Sequence, residues 1–526
     1  TTIQDSGSEI IITVDGKSKS YAKSALHTVL NPGVDMQLLN GEKLIRVIKE
    51  ADRASVTPSS TSLTDLHNKV LAFFPATGGA NITFATNAET IAGIDTTKAV
   101  NPAGVKAVTD SLQPTGRLGT FSGKHNVAFG SRLPWTTNKS NGTRTTETSR
   151  IKFKSIGNIS DLQLYFTNFQ AIITGTTTYD DITIEASIEY PAGTFTRVAI
   201  NNSNSYLLSK GKDVITDSVS INIPANAYFW VRTNILVTAG QTYLRPHGVL
   251  GSYTEGVAVD VNSVMSGTIT SASDSAYGCS AILGVSYGSD KPSIFWIGDS
   301  IASGTGDSGG AAYGSSWSEQ GLFGRAFRDL FPGVRSNIPG EKLVQWDSFS
   351  YDVAKWHTKI LSSCMYAMCE LGVNDLRDGK TLVQMQVLFL NRWGDFKARN
   401  VKVVQTTLTP ETTSTDAWAT TTNQTVTSIH AARIATNDWI RDGAPINYST
   451  YTAAAVGATG TDVIRSGSKY HPLWRWFEIA DLVETSRNSG IWKVQSGAAI
   501  TGDGLHPNAA GYALAVVGMD TSVFVK

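Results

Sequence analysis

At 526 residues the chain is several times the size of a typical domain, so length alone predicts about three or four of them. Forty-four Lys and Arg balance forty-four Asp and Glu, and this zero net charge removes the electrostatic footprint of a dedicated nucleic-acid binder. Only 17% of residues are charged and 48 are glycine, a balance that favours turn-rich β structure over coiled coil. Cys279, Cys364 and Cys369 are too few and too scattered for a disulfide framework, no CxxC pair suggests zinc, and buried small side chains are expected. No run of 18 apolar residues predicts a membrane span, and Thr1–Ser6 has neither the basic nor the apolar region of an export signal, so a soluble chain is expected.

In chain order, Ile10, Ile12 and Val14 alternate with their neighbours before Asp15-Gly16, and Met36 to Ile48 is broken by Asn40-Gly41, a strong hairpin signal. Leu63, Leu66, Val70, Phe73 and Phe74 then fall at helical spacing, so residues 1–79 read as a small α+β module. Residues 80–116 hold few large apolar side chains. Asn101 and Pro102 suit the N-cap and first turn of a helix through Val105, Val108 and Leu112. Such a segment cannot bury a core alone and must serve as a linker or pack against copies of itself. The string Ala88-Glu89…Gly93…Lys98-Ala-Val100-Asn-Pro102 resembles a recurring element of bacteriophage tail-fibre and tail-spike proteins. That resemblance implies a shaft segment in a homotrimer, a virion location at the host surface, and attachment to other phage structural proteins through residues 1–116.

From 117 to 290 the texture is that of strands. Ile182, Ile184, Ala186, Ile188 and Tyr190 alternate with polar residues, and Leu162-Leu164-Phe166 and Val219-Ile221-Ile223 repeat the pattern between turn formers. An antiparallel β-sandwich of the jelly-roll kind is expected, with Tyr228, Trp230 and Tyr243 as sugar-stacking residues or, alternatively, core aromatics. After Lys291 strands alternate with helices: strands at Ser293–Ile297, Cys364–Leu371 and Val401–Gln405, and helices at Trp317–Phe331, Thr381–Ala398, Gln424–Ile440 and Asn508–Val517. That order predicts an α/β domain over 291–526, with a parallel sheet covered on both faces and a site at the carboxyl ends of its strands.

Three serines compete as nucleophile. Ser286 and Ser308 both match G-x-S-x-G, a weak pattern in a chain rich in Gly and Ser that also needs a strand before it and a helix after it. Gly306-Asp-Ser308-Gly-Gly310 is similar to the serine motif of trypsin-like proteases, but their histidine motif and disulfides are missing. Ser300, in Gly298-Asp-Ser-Ile, follows a strand, and three further blocks come after it: Asn337-Ile-Pro-Gly340, Gly372-Val-Asn374-Asp375 and Asp503-Gly-Leu-His506-Pro507. Four blocks in this order resemble the SGNH, or GDSL-type, hydrolase and esterase family. The resemblance spans 291–526 and implies a flavodoxin-like three-layer fold. It also implies a catalytic set of Ser300, Asp503 and His506, and oxyanion donors from the Ser300 and Gly340 backbone N–H groups and the Asn374 side chain. The chemistry agrees: a serine hydroxyl needs a base within hydrogen-bond reach, itself held by a third group, and Asp-x-x-His supplies both on one turn.

His471-Pro472 lacks an aspartate three residues earlier and reads as a surface turn, while His357 and His430 read as ordinary surface or core residues. Asp299 is expected to satisfy backbone N–H groups and not to take part in chemistry. Together these readings predict a phage tail-spike esterase that removes O-acetyl groups from a bacterial surface polysaccharide, without cofactor or metal. The alternatives are a receptor-binding virion protein with a weak or inactive domain, and a cellular carbohydrate esterase.

Overall fold

The computed structural model describes residues 124–132, 138–169, 179–249, 254–287, 291–307, 320–328, 330–347 and 359–525, together with six strands between residues 2 and 48. The chain divides into two compact units, Thr1–Ser111 and Leu112–Lys526. In the first unit, Thr2–Ser6, Glu9–Val14 and Lys17–Ala22 form one antiparallel sheet. Leu26–Val29, Met36–Asn40 and Lys43–Ile48 form another, and the pairing of Asn40 with Lys43 closes the hairpin that Asn40-Gly41 announces. The helix expected at 63–74 and the segment 80–116 lie outside the described residues.

The second unit opens with a sandwich of two antiparallel sheets. One runs in the order Phe195–Val198, Ile182–Glu189, Tyr228–Leu236, Thr146–Ser155, Gly256–Val259, and the other Asp213–Ile215, Asn158–Thr167, Ala281–Tyr287, His125–Asn126. Period-two alternation explains how one sheet serves two cores. Along Asn158–Thr167, Leu162, Leu164 and Phe166 face the sandwich interior, while Tyr165 joins the core of the α/β part. Ala281 and Leu283 do the same on the next strand, with Ile282 facing the other way. Tyr243 is wholly buried, with its hydroxyl on the Glu147 carboxylate 3.1 Å away, and is therefore a core residue and not a stacking one. Tyr228 is 48% exposed and carries Lys152 Nζ over its ring. The three cysteines are buried and free.

The α/β part is built on a six-stranded parallel sheet in the order Leu473–Phe477, Lys402–Thr406, Tyr366–Cys369, Ile294–Gly298, Gly333–Asn337, Ser131–Arg132. Every residue of Ile294–Gly298 is buried, as expected of a strand covered on both faces. Helix Leu382–Ala398 starts at a capping box, in which Thr381 and Gln384 each accept from the other's backbone N–H. It packs on helix His430–Arg441 through stacked Trp393 and Trp439 rings 5.6 Å apart. Gly321–Phe327 and Ala509–Ala515 form a second helical pair.

Two helices differ from expectation. Gln424–Val426 is a strand paired with Thr412–Ser414, and the helix begins only at His430, because β-branched Thr425, Val426 and Thr427 favour extended backbone. The helix expected over Trp317–Phe331 is Gly321–Phe327: Gln320 is extended, Arg328 leaves the helix, and after Pro332 the chain enters the strand Gly333–Asn337, which the turn residues around it obscured.

Candidate active site

The strand Ile294–Gly298 ends at Asp299, which caps a single helical turn, Ser300–Ser303, by accepting from Ile301 N–H at 2.8 Å. Ser300 is thereby raised above the carboxyl end of the sheet. Gly298 is required by close packing: a Cβ there would lie 2.3 Å from Ala302 Cβ and 2.9 Å from Glu370 Oε2.

Ser300 Oγ lies 2.7 Å from His506 Nε2, and His506 Nδ1 lies 2.6 Å from Asp503 Oδ2. Asp503 Oδ1 accepts from the backbone N–H groups of Leu505 and His506, at 2.9 and 2.8 Å. One carboxylate oxygen thus orients the imidazole while the other folds the loop that carries it. Burial opposes ionisation of Asp503, but the hydrogen bonds from His506 and Leu505 prevail and hold its carboxyl below the usual range. An ionised Asp503 accepts a hydrogen bond from Nδ1–H, so Nε2 presents its lone pair to the Ser300 hydroxyl. The Asp503 side chain is 54% exposed and that of His506 only 15%, so the pair sits at the rim of an open site.

The two remaining blocks converge on the same point. Gly340, at φ +82°, occupies a turn closed by Glu341 N–H to Ile338 O (3.0 Å), and Ile338 N–H bonds Gly298 O (3.0 Å) at the end of the nucleophile strand. Asn374, in the short helix Val373–Arg377, donates from Nδ2 to Asp299 Oδ2 at 2.8 Å and to Glu341 O at 3.2 Å. Both amide hydrogens are therefore engaged, and donation to an oxyanion requires the longer bond to be given up. Asp375, next along the helix, accepts from Leu343 and Val344 N–H, and burial pushes its carboxyl up to about 6.

Behind Asp299 lies a carboxyl group absent from the sequence reading, Glu370. Its Oε2 accepts from Asp299 N–H at 3.2 Å, and its carboxyl hydrogen-bonds the Asp299 side chain. Burial, then the Asp299 charge, drives Glu370 well above its ordinary value, so it retains its proton. Burial also raises Asp299, against the Ile301 N–H bond. A single acid closing the apolar stretch Cys364–Cys369 was the signal that could have revealed it.

The other candidates lie elsewhere. Ser286 stands on the strand Ala281–Tyr287 opposite Ile159, within the sandwich. Ser308 and His357 lie outside the described residues. His471 is buried and not at a surface turn: its Nε2 is 2.8 Å from Ala444 O, Nδ1 accepts from Leu473 N–H, and burial pulls it down to about 4. His430 opens its helix beside Gly490. Among the described residues no group of three or more His, Cys, Asp or Glu is arranged to hold a metal ion, and no helix is long and apolar enough to cross a membrane.

Neither a protein-family model nor a curated protein matches the sequence. Among solved structures, the chain is similar to a GDSL-like lipase from Bacteroides thetaiotaomicron, at 12% identity and a TM-score of 0.27, covering 44% of this chain and 87% of that one. It is also similar to an acetylxylan esterase from Geobacillus stearothermophilus, at 12% identity and a TM-score of 0.26, covering 43% of this chain and 91% of that one. A salicylyl-acyltransferase from a tetracycline biosynthetic pathway aligns over 70% of this chain and 80% of its own, at 12% identity and a TM-score of 0.27. At these values the likenesses carry no argument about activity, which rests on the geometry of the site.

Proposed function

We propose that the protein is a serine esterase of the SGNH type, which cleaves carboxylic esters through an acyl-enzyme on Ser300. The observation that carries this reading is the continuous chain Ser300 Oγ, His506 Nε2, His506 Nδ1, Asp503 Oδ2, with links of 2.7 and 2.6 Å. In acylation His506 takes the Ser300 proton as Oγ adds to the ester carbonyl, then returns it to the departing alcohol; in deacylation it activates water in the same way. The Ser300 and Gly340 N–H groups and the Asn374 amide are the donors for the tetrahedral oxyanion.

The finer reading is a tail-spike deacetylase acting on a bacterial surface polysaccharide. Two things support it: the tail-fibre resemblance of residues 88–102, and an open rim with a half-exposed Asp503, which suits an ester displayed on a polymer. A homotrimer in the virion follows from that resemblance alone. The test compares wild type with Ser300→Ala on p-nitrophenyl acetate and on acetylated bacterial polysaccharide. Hydrolysis of both, lost in the variant while circular dichroism is unchanged, is the expected result. Full activity in Ser300→Ala would refute the assignment, and hydrolysis of the small ester without acetate release from any polysaccharide would refute the finer reading.

A further inference from the structure

Between strand Lys402–Thr406 and helix His430–Arg441 the chain inserts a hairpin, Thr412–Ser414 paired with Gln424–Val426. At its tip two consecutive residues that are not glycine, Ala417 (φ 55°) and Trp418 (φ 60°), occupy the left-handed region that L-residues avoid. Such backbone persists only where its surroundings over-determine it, and it concentrates at functional sites. The surroundings of Trp418 are specific. Its N–H donates to Ser414 Oγ (2.9 Å), its indole Nε1 donates to Thr412 Oγ1 (2.8 Å), and its ring lies against Gly504, where an added Cβ would come within 2.6 Å of Cζ2.

Gly504 is the residue between Asp503 and the Leu505-His506 pair, and its φ is +78°. Its carbonyl accepts from Thr412 N–H (3.0 Å) and from Trp492 Nε1 (2.9 Å), and its N–H donates to Thr501 Oγ1 (2.9 Å). The bonds of Asp503 described above all run within its own loop, whereas Gly504 ties that loop to Thr412 and Trp492, beside the packing of Leu505 on the core of the α/β part.

We propose that Trp418 is a positioning residue for the esterase site: seated on Gly504, it holds the Asp503–His506 loop at the height from which His506 Nε2 reaches Ser300 Oγ. This inference rests on the esterase reading, because it gives the loop a catalytic task. The indole acts through the loop and contributes no atom to the chemistry.

The test uses the full chain and an alkyl fluorophosphonate, whose reaction reports the nucleophilicity of Ser300 whatever ester is the substrate. Ser300 Oγ forms a bond to phosphorus, the P–F bond breaks, fluoride leaves and His506 takes the proton; intact mass follows the rate. Trp418→Ala should slow labelling by about 10- to 100-fold, the range expected when a base is misplaced by up to an ångström. Trp418→Phe, which keeps a ring over Gly504, should recover most of the loss. In an Asp503→Asn background Trp418→Ala should cost less than about 3-fold, because residues that act through one another are not additive. Equal losses in both backgrounds, or no loss in either, would overturn the proposal. If circular dichroism shows Trp418→Ala unfolded, Gly504→Ala takes its place: its Cβ would meet Thr412 O at 2.1 Å and so separate hairpin from loop, and an unchanged labelling rate there would equally overturn the proposal. Hydrolysis of p-nitrophenyl acetate separates the two readings. A labelled wild type without Ser300-dependent hydrolysis refutes the esterase while the variants still decide the role of Trp418. Hydrolysis with an unchanged Trp418→Ala rate refutes the positioning role alone, and an unlabelled wild type refutes both.

Discussion

Replacing Asn374 by alanine separates two tasks of one amide, oxyanion donation in the proposed mechanism and a structural bond to Asp299. In the resting site Nδ2 bonds Asp299 Oδ2 at 2.8 Å and Glu341 O at 3.2 Å. Loss of one oxyanion donor costs about 100- to 1000-fold in kcat. Because the wild-type amide must first release Glu341 O, at a cost on the order of 1 kcal/mol, the lower end is expected, a fall of about 100-fold. KM should change little, since the interaction is made only in the transition state. The second task is structural. Without the amide, a wholly buried Asp299 loses a donor to its carboxylate, which should lower stability by about 1–3 kcal/mol. Steady-state kinetics on p-nitrophenyl acetate and urea unfolding read the two effects separately. A kcat within about twofold of wild type would remove Asn374 from the oxyanion site, and unchanged stability would contradict the weight given to its bond with Asp299.

Two further predictions concern charge in the interior. Arg433 and Glu484 form an ion pair in which both side chains are wholly inaccessible, so Arg433→Met should destabilise by about 3–5 kcal/mol in urea unfolding, and a smaller loss in Arg433→Met/Glu484→Leu would show that the stranded carboxylate is the main cost. Asp375 is raised by burial from 3.8 to about 6, so the folded protein binds the extra proton between those values, and stability falls as pH rises through the window, the penalty being complete above about 6. The displacement corresponds to at most about 3 kcal/mol, and Asp375→Asn should flatten the melting-temperature profile between pH 4 and 7; an unchanged slope would refute the assignment.

The sequence made much of the site legible because the chemistry is written in short local blocks. Asp503 and His506 share one turn, Ser300 follows an apolar strand, and Asn508 and Thr381 cap their helices as their residue types require. What stayed hidden was long-range. Glu370 meets Asp299 across adjacent strands, and Trp418 reaches Gly504 from 86 positions away along the chain, contacts that no local period records. Helix Gln424–Ile440 was overextended for the opposite reason: its first turn has helical neighbours, but its own β-branched residues pair as a strand. His471 reads as a surface turn because its long-range backbone partner, Ala444, is visible only in the fold.

The strand Ser131–Arg132 lies more than 150 residues before Ile294 in the chain, yet it supplies the last parallel rung of the sheet that carries Ser300. It pairs with Val334 and Arg335, Phe129 sets its ring 5.7 Å from that of Trp296, and Asn126 N–H bonds Ser363 O. The α/β part is therefore not a cassette that begins where its motifs begin. Transplanting residues 291–526 into another protein would leave the Gly333–Asn337 edge unpaired and one face of Trp296 uncovered, the condition that invites strands of other chains to pair there. An exchange of the α/β part between longer chains would therefore have to carry the preceding sandwich along.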